Sequence, residues 1–217
     1  EAYHLYEINV DGSELTQLTD GPDNDIEPIY TPDGGIVFCS SRCHRFVPCW
    51  RTQVATLYRC DADGGNIRML SNNAEQENTP WMLPDGRVLY GRWEYVDKGQ
   101  LGIKCLWAMK PDGSGSREIY GNDIPFPPTM LHGRPIPGKP HKLVMLGTPH
   151  FPQSGIGTVI VVDTTKNIRT RSPMHFVTWW VDVRQEPGWN HFLGSGWRRH
   201  TNGPLYMDPH PLAEDLF

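Results

Sequence analysis

Leu57-Tyr58-Arg59-Cys60-Asp61-Ala62-Asp63-Gly64 runs through large alternating side chains and then turns on Asp-Gly. The same phrase stands upstream as Leu5-Tyr6-Glu7-Ile8-Asn9-Val10-Asp11-Gly12 and downstream as Leu106-Trp107-Ala108-Met109-Lys110-Pro111-Asp112-Gly113. The spacings are 52 residues (57 − 5) and 49 residues (106 − 57). A second phrase interleaves with it, Tyr30-Thr31-Pro32-Asp33-Gly34 and Met82-Leu83-Pro84-Asp85-Gly86, again 52 apart (84 − 32). Short strands and Asp-Gly turns repeating near fifty residues are the signature of propeller blades.

Working outward, each repeat divides into four strands, A to D. Strand A is the innermost, as at 27–30, and ends on the Pro-Asp-Gly turn. Strand B follows at 35–39 and 87–90, because Asp-Gly between apolar runs is a hairpin signal. The Leu-Tyr phrase is strand C, and strand D lies beyond the next Asp-Gly, at 14–18, 66–70 and 116–120. A third set is expected from 134–137, 142–146 and 158–163, with Asp163-Thr164-Thr165 replacing the Asp-Gly turn. Residues 203–209 are a fourth, irregular strand A. Proline is expected to head each inner strand (Pro28, Pro80, Pro135, Pro204), where a missing donor costs little. The fold class is therefore all-β, a β-propeller of four-stranded antiparallel blades forming one partial ring over 1–217. A solenoid or β-sandwich is the alternative architecture.

Two stretches interrupt the repeat. Residues 41–54 form an insertion rich in Cys, His, Arg and Trp, and 174–201 is irregular and carries Trp179, Trp180, Trp189 and Trp197 with His175, His191 and His200. The formal net charge of −5 argues against a general nucleic-acid binder, which would carry a basic stripe. No apolar run approaches the ~20 residues of a membrane helix. Calcium loops of the EF-hand type, nucleophile elbows, phosphate loops and His-Glu-x-x-His are all missing from the sequence.

The segments Thr31-Pro32-Asp33-Gly34-Gly35-Ile36-Val37-Phe38-Cys39-Ser40-Ser41-Arg42 and Asp61-Ala62-Asp63-Gly64-Gly65-Asn66-Ile67-Arg68-Met69-Leu70 resemble TolB-like β-propeller repeats. A closer resemblance is to the middle domain of the hydrazine synthase α subunit family. It is carried by Ser41-Arg42-Cys43-His44-Arg45, Cys49-Trp50, Asn78-Thr79-Pro80-Trp81, Gly91-Arg92-Trp93-Glu94-Tyr95-Val96-Asp97 and Asp208-Pro209-His210-Pro211-Leu212. The resemblance implies a six-bladed domain, of which this chain supplies about three to four blades, within a longer exported protein. It does not carry over haem chemistry: Cys39-Ser40-Ser41-Arg42-Cys43-His44 is one residue too long for the CxxCH attachment motif.

For function, the leading expectation is a non-catalytic module that binds other domains of the same polypeptide or other subunits, outside the cytoplasm. The alternative is a metal- or haem-associated component of a periplasmic redox enzyme. Arg42, His44, Arg92, Trp93, Glu94 and His132 form the expected binding surface, against a plain reading as blade-to-blade bonds. Cys43 and His44 are soft ligands suited to zinc, and Cys43 with Cys49 could instead close a disulfide across the insertion. Spacing leaves disulfide, metal and neither open. Cys39, Cys60 and Cys105 are expected to pack as small hydrophobes.

Overall fold

The structure is a computed structural model describing residues 1–95, 103–124, 126–148, 157–179 and 206–217. Its strands are β1 (Tyr6–Glu7), β2 (Thr16–Gln17), β3 (Asp25–Tyr30), β4 (Ile36–Ser40), β5 (Thr56–Cys60), β6 (Arg68–Met69) and β7 (Glu77–Met82). They continue as β8 (Val88–Trp93), β9 (Lys104–Met109), β10 (Arg117–Tyr120), β11 (Thr129–Ile136), β12 (Lys139–Thr148), β13 (Thr158–Asp163) and β14 (Met174–Phe176). Sequence-adjacent strands pair antiparallel within β1–β2, β3–β6, β7–β10 and β11–β14. Among the described residues, the strand pairing between the last two sets is the parallel one of Thr129 with Lys104. No sheet closes on itself, so the described residues form a partial propeller: one two-stranded blade followed by three of four strands.

Period-two alternation explains why these strands stack as blades. In β4, Ile36 and Phe38 point to one side and join Leu5, Tyr58 and Cys60. Their neighbours Val37 and Cys39 point the other way, joining Leu57 of the same blade and Val88, Tyr90 and Met109 of the next one. A third cluster, with Leu89, Leu106, Met130, Met145 and Ile160, fills the next interface. Apolar layers thus separate successive sheets, and Phe38, Val37, Leu89 and Met145 have no exposed surface. Each such side chain contributes roughly 1.5–3 kcal/mol of burial. Cys39, Cys60 and Cys105 lie in or beside these layers as free, buried thiols, matching their expected packing role.

Turns lock neighbouring blades. Gly64 has φ +83°, and a Cβ there would stand 2.0 Å from the Leu18 carbonyl oxygen. One repeat later, Gly113 (φ +87°) would place a Cβ 2.7 Å from the Leu70 carbonyl oxygen. The Asp-Gly turn of one blade is therefore pressed onto the outer strand of the preceding blade.

The inner strands share a feature that the sequence pattern does not announce. Glu27, Thr79 and His132 have φ of 56°, 48° and 52°, and each sits where the pairing register breaks. Non-glycine residues in this region are strained by about 1–3 kcal/mol. Here they are held by bonds between blades: Glu27 Oε2 accepts the Thr79 N–H at 2.6 Å, and Thr79 Oγ1 accepts the His132 N–H at 3.0 Å. The expected prolines need correction on this point. Pro28 and Pro80 follow the strained residue inside the strand, Gly133 holds that place in β11, and Pro135 lies two residues further on. Asp208-Pro209 repeats the arrangement, with Asp208 at φ 46°, whereas Pro204 lies outside the described residues.

The 41–54 insertion folds back through a Phe46–Gln53 bridge. Its Val47 and Val54 bury against Trp93, with Cys43, Cys49 and Tyr95 around them. Of the irregular 174–201 stretch, Met174–Phe176 is β14, the outer strand of the last blade, and Trp179 is exposed. The other tryptophans and histidines singled out there, at 180–201, lie outside the described residues.

Candidate functional site

Each inner strand of the first two complete blades begins with a buried carboxylate opposite the end of strand B. Asp25 pairs with Ser40 and Glu77 pairs with Arg92. Asp25 accepts from Ser40 Oγ at 2.6 Å and takes a two-pronged ion pair from Arg42, at 2.6 Å from Nη2 and 3.2 Å from Nε. Arg42 is thereby committed to the scaffold. Glu77, with no exposed surface, accepts from Ser71 Oγ at 2.6 Å and from the Leu57 N–H at 3.1 Å. Burial pushes its carboxyl pKa up, while those two bonds and the Arg92 charge pull it back.

Arg92 reaches several groups at once. Its Nε donates to Glu94, its Nη1 lies 3.8 Å from Glu77, and its guanidinium sits 4.7 Å from the centre of the Trp107 ring. The adjacent Trp93 stacks with Tyr95 at 5.3 Å, and Lys104 Nζ lies 4.5 Å from the Trp93 ring centre. Burial holds the Lys104 ammonium pKa down to about 8.

Arg92, Trp93, Glu94 and Tyr95 line a pocket of about 370 Å³ against the loop Ser71-Asn72-Asn73-Ala74-Glu75, which leads from β6 to β7. Asn73 braces the loop, its amide donating to the carbonyls of Glu75 and Trp93 at 3.2 Å each. From the other side, Arg45 of the insertion donates to Asn72 Oδ1 at 2.7 Å and to the Asn73 carbonyl at 2.6 Å. Glu75 itself is 1% exposed, and neither carboxylate oxygen has a hydrogen-bond partner in the protein. Burial raises its pKa, offset in part by Arg45 and then Lys104.

The expected binding surface therefore divides. Arg92, Trp93 and Glu94 come together in this pocket. Arg42 and His44 belong to the preceding blade, where His44 Nε2 lies 3.3 Å from Asp23 and is largely exposed. His132 stands apart, in a 190 Å³ depression at the inner strands that Glu27, Thr79, Trp81, Arg134 and Asp208 also line. There its Nδ1 lies 3.0 Å from Asp208, and burial lowers its pKa although Asp208 opposes the shift. Arg134 pairs with the same Asp208 at 2.6 Å and covers the Trp81 ring at 4.4 Å.

Cys43 and Cys49 are half-buried free thiols of one cluster, and Cys43 donates to the Val54 carbonyl at 3.2 Å. Among the described residues no three His, Cys, Asp or Glu side chains gather in a metal-binding group. Sequence reasoning missed Glu75, Lys104 and the Asn72-Asn73 pair. The available signal was a five-residue polar loop placed one step before strand A.

Comparison with known proteins bears on the fold. A scan against protein-family models finds no match. An uncharacterized protein of Agrobacterium fabrum is 28% identical over 103 residues, covering 45% of this chain and 30% of its own length. Among solved structures, Kuenenia stuttgartiensis hydrazine synthase superposes on 98% of the chain with a TM-score of 0.72 and 20% identity, over 31% of its own length. A protein described as TolB from Agrobacterium tumefaciens covers 80% with a TM-score of 0.54 and 17% identity, over 55% of its length. Oligogalacturonate lyase from Vibrio parahaemolyticus covers 83% with a TM-score of 0.51 and 13% identity, over 48% of its length. The chain thus spans about a third of the relative and of the hydrazine synthase chain. By fold the described residues are a partial β-propeller, similar in structure to hydrazine synthase over nearly the whole chain and to the protein described as TolB over most of it.

Proposed function

We propose that this propeller is a non-catalytic binding module of a larger, extracytoplasmic protein resembling the hydrazine synthase α subunit. The observation that carries the proposal is the superposition of 98% of the chain on only 31% of a much longer one. Two further observations support it. The side chains most suggestive of chemistry, Arg42, Arg92 and His132, are engaged by Asp25, Glu94 and Asp208 within the scaffold. In addition, β1 and β2 make a blade of only two strands, and Tyr6, Ile8, Val10 and Leu15 are exposed on or beside it. An unpaired strand edge with apolar neighbours is a template for pairing with another chain segment. Other domains of the same polypeptide, or protein subunits, are the partners proposed. No described helix is long and apolar enough to cross a membrane.

Site-specific photocrosslinking tests this reading. A photoreactive residue at Ile8 in the full-length protein should crosslink to a segment outside 1–217 or to a second subunit. The same probe at exposed Asp112 should not. Equal crosslinking at both sites, or none at Ile8, would remove the binding role from this edge.

A further inference from the structure

Three inner strands follow one plan, and one of them is bare on a face that the other two cover. β7 packs on β3 and β11 packs on β7. Every residue of β7 and β11 is buried or half-buried. In β3, by contrast, Ile26, Glu27, Pro28 and Tyr30 are exposed. A following neighbour does not explain the difference, since β3 has β7. What β3 lacks among the described residues is a preceding inner strand. Tyr30 marks the direction of the bare face, because its hydroxyl donates to Glu7 of β1 in the two-stranded first blade.

The strained residue of each later inner strand turns its N–H toward the preceding blade. Thr79 donates to Glu27 Oε2 at 2.6 Å, and His132 donates to Thr79 Oγ1 at 3.0 Å. Glu27 has φ 56° against their 48° and 52°, at the same break in register, so its N–H is turned the same way. No side chain among the described residues accepts it. A backbone donor enclosed without a partner is costly, so a strand that covers β3 must bring an acceptor. The repeat says what kind. Glu27-Pro28, Thr79-Pro80, His132-Gly133 and Asp208-Pro209 each set a polar residue with φ of 46–56° before Pro or Gly. The two side chains that reach forward to the next N–H are a carboxylate and a hydroxyl. Proline at the next position has no donor to leave bare at the inner edge.

We infer that the bare face of β3 seats a further inner strand of the same polypeptide, from outside residues 1–217. That strand carries a side-chain acceptor followed by Pro or Gly, and the acceptor takes the Glu27 N–H. The same-polypeptide origin follows the four known segments of this kind, which all belong to one chain. The inference rests on the reading of the first blade as an unfinished binding edge, and adds the residue chemistry that the incoming segment must have.

Hydrogen exchange on the full-length protein, resolved to single residues by electron-transfer fragmentation, tests it. The Glu27 amide should exchange at least tenfold more slowly than in an unfolded peptide, as should those of Thr79 and His132. A photoreactive phenylalanine analogue at Tyr30 should crosslink to the incoming segment, and peptide mapping should find the acceptor followed by Pro or Gly within it. Alanine at that acceptor should speed exchange at Glu27 at least tenfold and leave His132 unchanged. Glu27→Ala, which removes the acceptor already seen, gives the matching effect at Thr79. An unprotected Glu27 amide, a crosslink only within residues 1–217 or to a second subunit, or a segment without such a pair would each overturn the inference. Any of these with the Ile8 crosslink intact leaves the edge reading standing, whereas no crosslink at either position removes both.

Discussion

Gly12→Ala and Gly64→Ala make a matched pair that isolates the contact between blades. Both glycines close Asp-Gly turns with nearly the same backbone, φ +84° and +83°. An alanine in this conformation costs about 1–2 kcal/mol from backbone sterics alone, and that part is common to both variants. Nothing lies within 4 Å of a Cβ at Gly12, whereas at Gly64 the Leu18 carbonyl oxygen is 2.0 Å away and is backbone. The turn must therefore lift off the preceding blade, which adds about 1–3 kcal/mol of overpacking. For a chain of this size each kcal/mol moves the thermal midpoint by about 2–4 °C. Gly12→Ala should lower the midpoint by roughly 3–6 °C and Gly64→Ala by roughly 5–15 °C, with the same order in urea midpoints. Equal shifts would refute the reasoning, because backbone strain alone would then explain both.

Other perturbations probe different parts of the structure. Phe38→Ala, at a fully buried position between the first two blades, should cost about 3–5 kcal/mol in urea unfolding, whereas exposed Val10→Ala should cost less than about 0.5 kcal/mol. Under native conditions a thiol reagent should label Cys43 and Cys49 and spare Cys39, Cys60 and Cys105, the last with a thiol pKa pushed up to about 12 by burial; peptide mapping of the label checks this. Lys104 has a folded pKa near 8 against 10.5 in the unfolded chain, so the native state binds fewer protons between these values. Stability from this group should then rise with pH across that window, by up to about 3 kcal/mol, and Lys104→Met should abolish the rise. Elemental analysis should find substoichiometric zinc in the wild type and no change in Cys43→Ala; one zinc per chain, lost in the variant, would restore the redox-component reading.

The blade plan was legible because it rests on local chemistry. Asp-Gly turns at 11–12, 63–64 and 112–113 demand a left-handed glycine, and alternation such as Ile36-Val37-Phe38-Cys39 fixes two buried faces. Even the degenerate third repeat was readable, since Asp163 replaces the glycine turn by accepting from the Thr165 N–H and hydroxyl at 3.0 and 2.6 Å. The strained residues Glu27, Thr79 and His132 were not legible, because nothing in their own side chains requires positive φ; bonds between neighbouring blades hold it. For the same reason Pro135 looked equivalent to Pro28 and Pro80, although Gly133 holds that place. Arg92, Trp93 and Glu94, consecutive in the sequence, line one pocket, whereas His132, which the repeat position puts with them, lines the inner strands instead. Glu75 escaped notice because its character is a property of what its neighbours lack, which emerges only when Ser41 and His44 are seen to satisfy Asp23.

An experimental structure of the full-length protein tests the radial stacking of these sheets most directly. The account predicts β3, β7 and β11 innermost around one axis, Gly64 seated on Leu18, and β1–β2 extended by strands from outside residues 1–217. Two sheets facing each other as a sandwich, or β1–β2 standing alone with its apolar side chains in solvent, would contradict it.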